Sequence, residues 1–155
     1  MAQISEGDQA PDFHLPGDSG QMVNLADFKG KPLILYFYPK ADTSGCTREA
    51  NEFNALLKSF KAQGAAVIGV SPDSVKALSK FKGKYGLAFP LAGDESRDML
   101  KAYGVWTEKS MYGRKYMGVE RSTFLIGRDG RIAKAWRKVK VEGHAGEVLA
   151  ALRAL

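Results

Sequence analysis

Leu33-Ile34-Leu35-Tyr36-Phe37-Tyr38 is an unbroken apolar and aromatic run, entered through Lys31-Pro32 and closed by Pro39. Its length suits a strand, and with no polar residue alternating through it neither face can be left to water. It therefore predicts the central strand of a sheet covered on both sides. Next comes the polar stretch Lys40-Ala41-Asp42-Thr43-Ser44-Gly45-Cys46-Thr47, which carries the only cysteine in 155 residues. From Thr47 to Gln63 the apolar residues Ala50, Phe53, Leu56, Leu57 and Phe60 recur at helical spacing, and Gly64 sits where a helix ends. Strand, short loop and helix thus follow one another, with the thiol at the mouth of the helix.

Working outward, Asp12 to Leu15 and Gln21 to Leu25 flank Pro16-Gly17-Asp18-Ser19-Gly20, a turn cluster that predicts an N-terminal hairpin. Ala65 to Ser71 predicts a second buried strand, and Pro72-Asp73-Ser74 opens a helix running to Tyr85, with Gly86 at its end. Leu87 to Leu91 predicts a short strand and Asp94 to Tyr103 a helix. Val105 to Glu120 has no clean period and reads as a long loop, a place where function or an interface is common. Arg121 to Ile126, a turn at Gly127-Arg128-Asp129-Gly130 and Arg131 to Val141 predict a closing hairpin, and a last helix is expected from His144 to Leu155. Alternating strands and helices followed by a hairpin predict an α/β fold: a three-layer sandwich around a mixed sheet, in one domain spanning residues 1–155.

Composition narrows the functional classes. Hydrophobic residues make up 45% and charged residues 26%, without repeats or a low-complexity tract, which sets aside disordered and solenoid readings. The N-terminus lacks the basic start and apolar run of a secretory signal, and no stretch suits a membrane helix, so a cytoplasmic protein without membrane contact is expected. A net charge of +6 modestly favours anionic ligands. The run Lys134-Ala135-Trp136-Arg137-Lys138-Val139-Lys140 could serve a nucleic acid, but it reads more simply as the charged face of an edge strand, and no nucleic-acid partner is expected. His14 and His144 stand far apart without accompanying ligands, so they are expected at the surface or in packing, with no metal site.

The cysteine carries the chemistry. At a helix N-terminus, free backbone N–H groups and the dipole favour an anion, which should lower the thiol below its ordinary value of about 8.5. Cys46 also falls on the same stripe as Ala50, Phe53, Leu57 and Phe60, so the sulfur should lie at a pocket floor. Thr43 suits an N-cap or a pocket-wall hydroxyl, and Pro39 an apolar wall. The competing reading is a small buried hydrophobe without chemistry.

The run Pro39-Lys40-Ala41-Asp42-Thr43-Ser44-Gly45-Cys46-Thr47-Arg48-Glu49 resembles the active-site signature of the peroxiredoxins, and in detail their bacterioferritin-comigratory (Q-type) subfamily. Ala10-Pro11-Asp12-Phe13 resembles the opening of that subfamily, and Arg121-Ser122-Thr123-Phe124-Leu125-Ile126 a downstream block. The resemblance implies a thioredoxin-like fold and reduction of hydrogen peroxide and organic hydroperoxides, without cofactor or metal. It implies Cys46 as nucleophile, Thr43 as a hydrogen-bonding partner of the peroxide, Pro39 as a shield and Arg121 as stabiliser of thiolate and oxyanion. Glu49 and Arg48 could orient Arg121 or form a solvated pair.

One feature departs from that pattern. Many subfamily members carry a resolving cysteine five residues after the nucleophile, where Asn51 stands here, or on the following helix, where Ser74 to Tyr85 has none. With a single cysteine an internal disulfide is impossible, so an external thiol reductant is expected: thioredoxin, glutaredoxin or a small thiol. The protein is expected as a monomer or weak dimer. The alternative is a thioredoxin-fold binding or redox-sensing module without turnover.

Overall fold

The structure, a computed structural model, describes residues 4–155; the first residues of the segment read for a leader lie outside that range. Every side chain of β3 (Leu33–Phe37) is buried, as an apolar run without alternation requires. The strand lies in the middle of a five-stranded sheet of order β5-β4-β3-β8-β9. It runs parallel to β4 (Ala66–Ser71) and antiparallel to β8 (Ser122–Ile126), while β5 (Leu91–Gly93) and β9 (Ile132–Trp136) form the edges. The sheet is mixed, as expected, because the first connections are helical crossovers and the last a tight hairpin. β1 (His14–Pro16) and β2 (Met22–Asn24) make the N-terminal hairpin, followed by a short 3₁₀ turn at Leu25–Phe28.

Alternate β3 residues feed two cores. Ile34 and Tyr36, with Tyr38 just beyond the strand, face α1 (Ser44–Ala55), α2 (Leu57–Ala62), α3 (Val75–Tyr85) and α5 (His144–Arg153). Leu33, Leu35 and Phe37 face α4 (Asp98–Ala102) and the N-terminal segment. The three layers of the sequence reading are thus observed. Among the described residues no helix is long and apolar enough to cross a membrane.

Several boundaries differ from expectation, and the closing strand, expected to run to Val141, ends at Trp136. The helix expected over Thr47–Gln63 begins at Ser44 and breaks at Leu56. Beside the break, Asn54 is held by two hydrogen bonds to the chain after α3, one donated to Gly86 O (3.2 Å) and one accepted from Ala88 N (2.8 Å). The short strand falls at Leu91–Gly93 and not at 87–91, since Leu91, Ala92 and Gly93 are the residues in register with β4. The helix expected from Asp94 starts at Asp98, because the buried Asp94 carboxylate turns inward to accept from Leu100 N at 2.8 Å.

The largest difference is the expected loop over Val105–Glu120. It is a hairpin of β6 (Trp106–Met111) and β7 (Arg114–Val119), joined at Tyr112 (φ 52°) and Gly113 (φ 76°). Two successive positive φ values suit the tight turns that match strand twist, and Gly113 takes one at no steric cost. The pairing was hidden because most of the hairpin is solvated on both faces, so no apolar alternation marks it.

Candidate active site

β3 ends at the C-terminal edge of the sheet, and the loop beyond Pro39 crosses to α1, whose third residue is Cys46. The loop is anchored from both sides. Asp73 Oδ2 accepts from Ala41 N (2.7 Å), and the Asp42 carboxylate, on a left-handed residue (φ 61°), accepts from Tyr85 OH (2.6 Å) and Lys84 Nζ (2.9 Å). These anchors come from α3 and the segment before it, too distant in sequence for spacing to reveal them.

Cys46 is 1% exposed, on the core stripe that its spacing predicted, with Ala50, Phe53, Leu57 and Phe60 also buried. Phe53 stacks on Tyr36 at 4.6 Å between ring centroids, in the same core cluster as Cys46. Arg121, one residue before β8, comes in from the side: its Nη2 donates to Cys46 Sγ at 3.4 Å and its Nη1 to Glu49 Oε1 at 2.7 Å. One guanidinium fork therefore holds both a sulfur and a carboxylate. Gly45 makes room for it, since a Cβ there would lie 3.2 Å from Nη2.

Glu49 is buried while its second oxygen, Oε2, has no hydrogen-bond donor among the described residues. Burial pushes its carboxyl up to about 7, although the charge and hydrogen bond of Arg121 pull the other way. Burial also works against the charge on Arg121, but Glu49 and Cys46 together hold it above its ordinary value. The guanidinium stays a fixed cation, whereas Glu49 can change charge near neutrality.

Thr43 occupies the N-cap position of α1, as spacing suggested, yet makes no cap bond; its hydroxyl turns back and donates to Lys40 O at 2.9 Å. With its proton engaged there, the oxygen is left to act as an acceptor. Pro39 is half-buried next to Tyr38. Glu49 and Arg48 do not form a solvated pair with each other: the buried Glu49 meets Arg121 at 2.7 Å, while Arg48 pairs with Glu52 (3.1 Å) on the solvated face.

Remaining candidates fall away from this centre. His14 is exposed against Asp12 and Asn24, and His144 is buried with Nε2 2.7 Å from Thr123 Oγ1, its ring pushed down to about 4 mainly by burial. Among the described residues no His, Cys, Asp and Glu cluster is placed to hold a metal. Trp136 lies on edge strand β9, partly buried against the core, with Lys134 Nζ 5.2 Å from its ring centroid. Two hollows of ≈ 570 and ≈ 560 Å³ surround the Gly127–Arg131 turn, at the far end of β8 from Arg121, and neither includes Cys46. A peroxide is small enough to need no such cavity.

Comparison with known proteins agrees with this geometry. Residues 6–135 match the AhpC/TSA family. The chain is 49% identical to peroxiredoxin Bcp of Bacillus subtilis over 150 residues, covering 97% of this chain and 96% of that one. It is 41% identical to peroxiredoxin Bcp of Escherichia coli over 149 residues, covering 96% of each. Among solved structures, a mutant of Xylella fastidiosa PrxQ superposes with a TM-score of 0.94 at 44% identity, covering 99% of this chain and 98% of that one. The Xanthomonas campestris bacterioferritin comigratory protein, solved in work on its alkyl peroxide reduction activity, gives 0.88 at 48% identity, covering 92% and 90%. The thioredoxin-like architecture implied by the resemblance is thus observed, and the chain belongs to the AhpC/TSA family, among the peroxiredoxins of the Bcp type.

Proposed function

We propose that this protein is a thiol peroxidase that reduces hydrogen peroxide and organic hydroperoxides through Cys46 and is recycled by an external thiol. The observation that carries the reading is a buried sulfur at the first turn of a helix, held at 3.4 Å by a guanidinium that a buried carboxylate orients. In the first step the thiolate lone pair attacks one peroxide oxygen and forms an S–O bond. The O–O pair departs with the other oxygen, and the resulting hydroxide or alkoxide takes a proton, leaving sulfenic acid on Cys46. Charge moves from sulfur to the leaving oxygen, so a donor that reaches both stabilises the transition state more than the ground state. Arg121 takes that role, Thr43 accepts from the hydroperoxide O–H, Pro39 shields the thiolate from water, and Glu49 sets the plane of Arg121.

The second half follows from cysteine count. A first thiol displaces water from the sulfenic acid to give a mixed disulfide, and a second thiol attacks that disulfide and restores Cys46. The reductant is thioredoxin, glutaredoxin or a small thiol, and the protein acts in the cytoplasm as a monomer or weak dimer. Because Cys46 is 1% exposed, a protein reductant needs the first turn of α1 to open.

Turnover stoichiometry tests this cycle. Without added thiol the protein should consume one equivalent of peroxide per Cys46 and stop, and with added thiol it should turn over continuously through a mixed disulfide visible by intact mass. Continuous turnover without any thiol would refute it.

A further inference from the structure

Residues opposite one another across β6 and β7 share a face, so Thr107 and Lys109 lie with Gly118 and Tyr116, while Glu108 lies with Met117 on the other. Glu108 has Lys115 at 3.8 Å. Lys109 has no carboxylate within ion-pair distance among the described residues, although it is half-buried. Its stem lies instead across Gly118: a Cβ on that glycine would meet Lys109 Cδ at 3.2 Å and Cε at 3.7 Å. Position 118 is displaced from Tyr116, the direct partner of Lys109, toward the strand end that delivers Glu120 and Arg121. The stem therefore runs along the hairpin toward its base, the end from which the chain continues to Glu120 and Arg121.

Its electrostatic surroundings agree with that direction. Burial, and after it the positive charge of Arg121, weaken its hold on its proton, while Glu120 and Cys46 strengthen it. Leaning a half-buried ammonium toward a guanidinium whose one carboxylate partner is already engaged costs like-charge repulsion. The placement becomes favourable when negative charge gathers between the two cations, first on sulfur and then on the departing oxygen.

We propose that Lys109 is a second cation of the active site, laid across Gly118 so that its ammonium stabilises the anionic sulfur of Cys46 and the hydroxide or alkoxide released from the peroxide. The hairpin is then part of the catalytic apparatus. Lys109 transfers no proton in this scheme; the leaving oxygen is protonated by solvent. The inference rests on the peroxidase reading. The charged and titratable groups around it are Arg121, Glu120 and Cys46, with Glu49 on the far side of Arg121 and Tyr116 across the hairpin.

The test compares native protein with Lys109→Gln, Lys109→Arg and Gly118→Ala at low ionic strength, following the pH dependence of Cys46 alkylation by iodoacetamide and the bimolecular rate with hydrogen peroxide. For Lys109→Gln, Cys46 alkylation at pH 7 should slow and the peroxide rate should fall about 3- to 10-fold, both differences shrinking with added salt. Lys109→Arg should stay near native, and Gly118→Ala should fall between because its methyl displaces the stem. Thermal unfolding identifies any variant that fails to fold. A Lys109→Gln protein that folds normally with native alkylation and native peroxide rate would overturn the proposal. If native protein reacts with peroxide no faster than its unfolded chain, the peroxidase reading fails, and the alkylation profile still decides whether Lys109 acts on the sulfur.

Discussion

Glu49→Gln removes one charge from a buried pair while keeping shape and one acceptor for Arg121 Nη1, so it isolates what the carboxylate does. In the folded protein burial holds this carboxyl at about 7, against an ordinary 4.5. Between those values the folded state keeps a proton that the unfolded chain has released, so stability falls as pH rises through this window. The span corresponds to about 3 kcal/mol between pH 4 and pH 8. His144 acts in the opposite sense: its ring titrates at about 4 when folded, against 6.5, so it adds stability as pH rises through its own window. Comparing the variant with native protein cancels that second contribution. Urea unfolding at pH 4.5, 6 and 8 should show native protein losing stability relative to Glu49→Gln as pH rises, by about 2–3 kcal/mol in total. The peroxide rate of the variant should also lose any pH step near 7. Parallel stability curves for the two proteins would refute the buried titrating carboxylate, and with it the idea that Glu49 sets Arg121 through a charge that changes near neutrality.

Three further substitutions separate activity from stability. Arg121→Ala removes the donor to Sγ and leaves Glu49 buried without its cation, so the peroxide rate should fall about 10²–10³-fold, with about 3 kcal/mol of stability lost at pH 8. Less than a fivefold rate loss would exclude Arg121 from the reacting centre. Gly45→Ala should hold or raise Tm, because alanine favours a helix by about 0.5–1 kcal/mol, yet slow the reaction about tenfold as its methyl presses on Nη2 at 3.2 Å. Native kinetics there would show that the guanidinium yields freely. Thr43→Val should lower Tm only slightly, since the hydroxyl caps no helix N–H and loses one exposed bond to Lys40 O, while the rate falls about tenfold; a large loss of Tm with a native rate would reverse its assignment.

The parts of this fold written in local chemistry were legible. The apolar run Leu33–Tyr38 reads as a covered strand, and the stripe from Cys46 to Phe60 places the sulfur on the core face, where it lies. What stayed hidden depends on side-chain contacts that no hydrophobic period marks. Asn54 meets the chain beyond α3, Asp94 reaches forward to the Leu100 amide, and Asp42 is secured by Tyr85 and Lys84. None of these partners follows from spacing. The β6–β7 hairpin escaped for another reason: its faces are mostly wet, so selection for burial left no period to read. Only Gly113 at the tip signalled a turn. At the site, motif resemblance named Cys46, Thr43, Pro39 and Arg121, but whether Glu49 and Arg48 face Arg121 or form a solvated pair needed the geometry.

The central claim is that the fold activates Cys46, and the rate of thiol loss on adding hydrogen peroxide at neutral pH tests it most directly. Native protein should react at least about a thousandfold faster than the same chain in denaturant, because the helix terminus and Arg121 act only when assembled. Equal rates, or a slower native reaction, would mean that Cys46 is merely a buried side chain and would contradict the account.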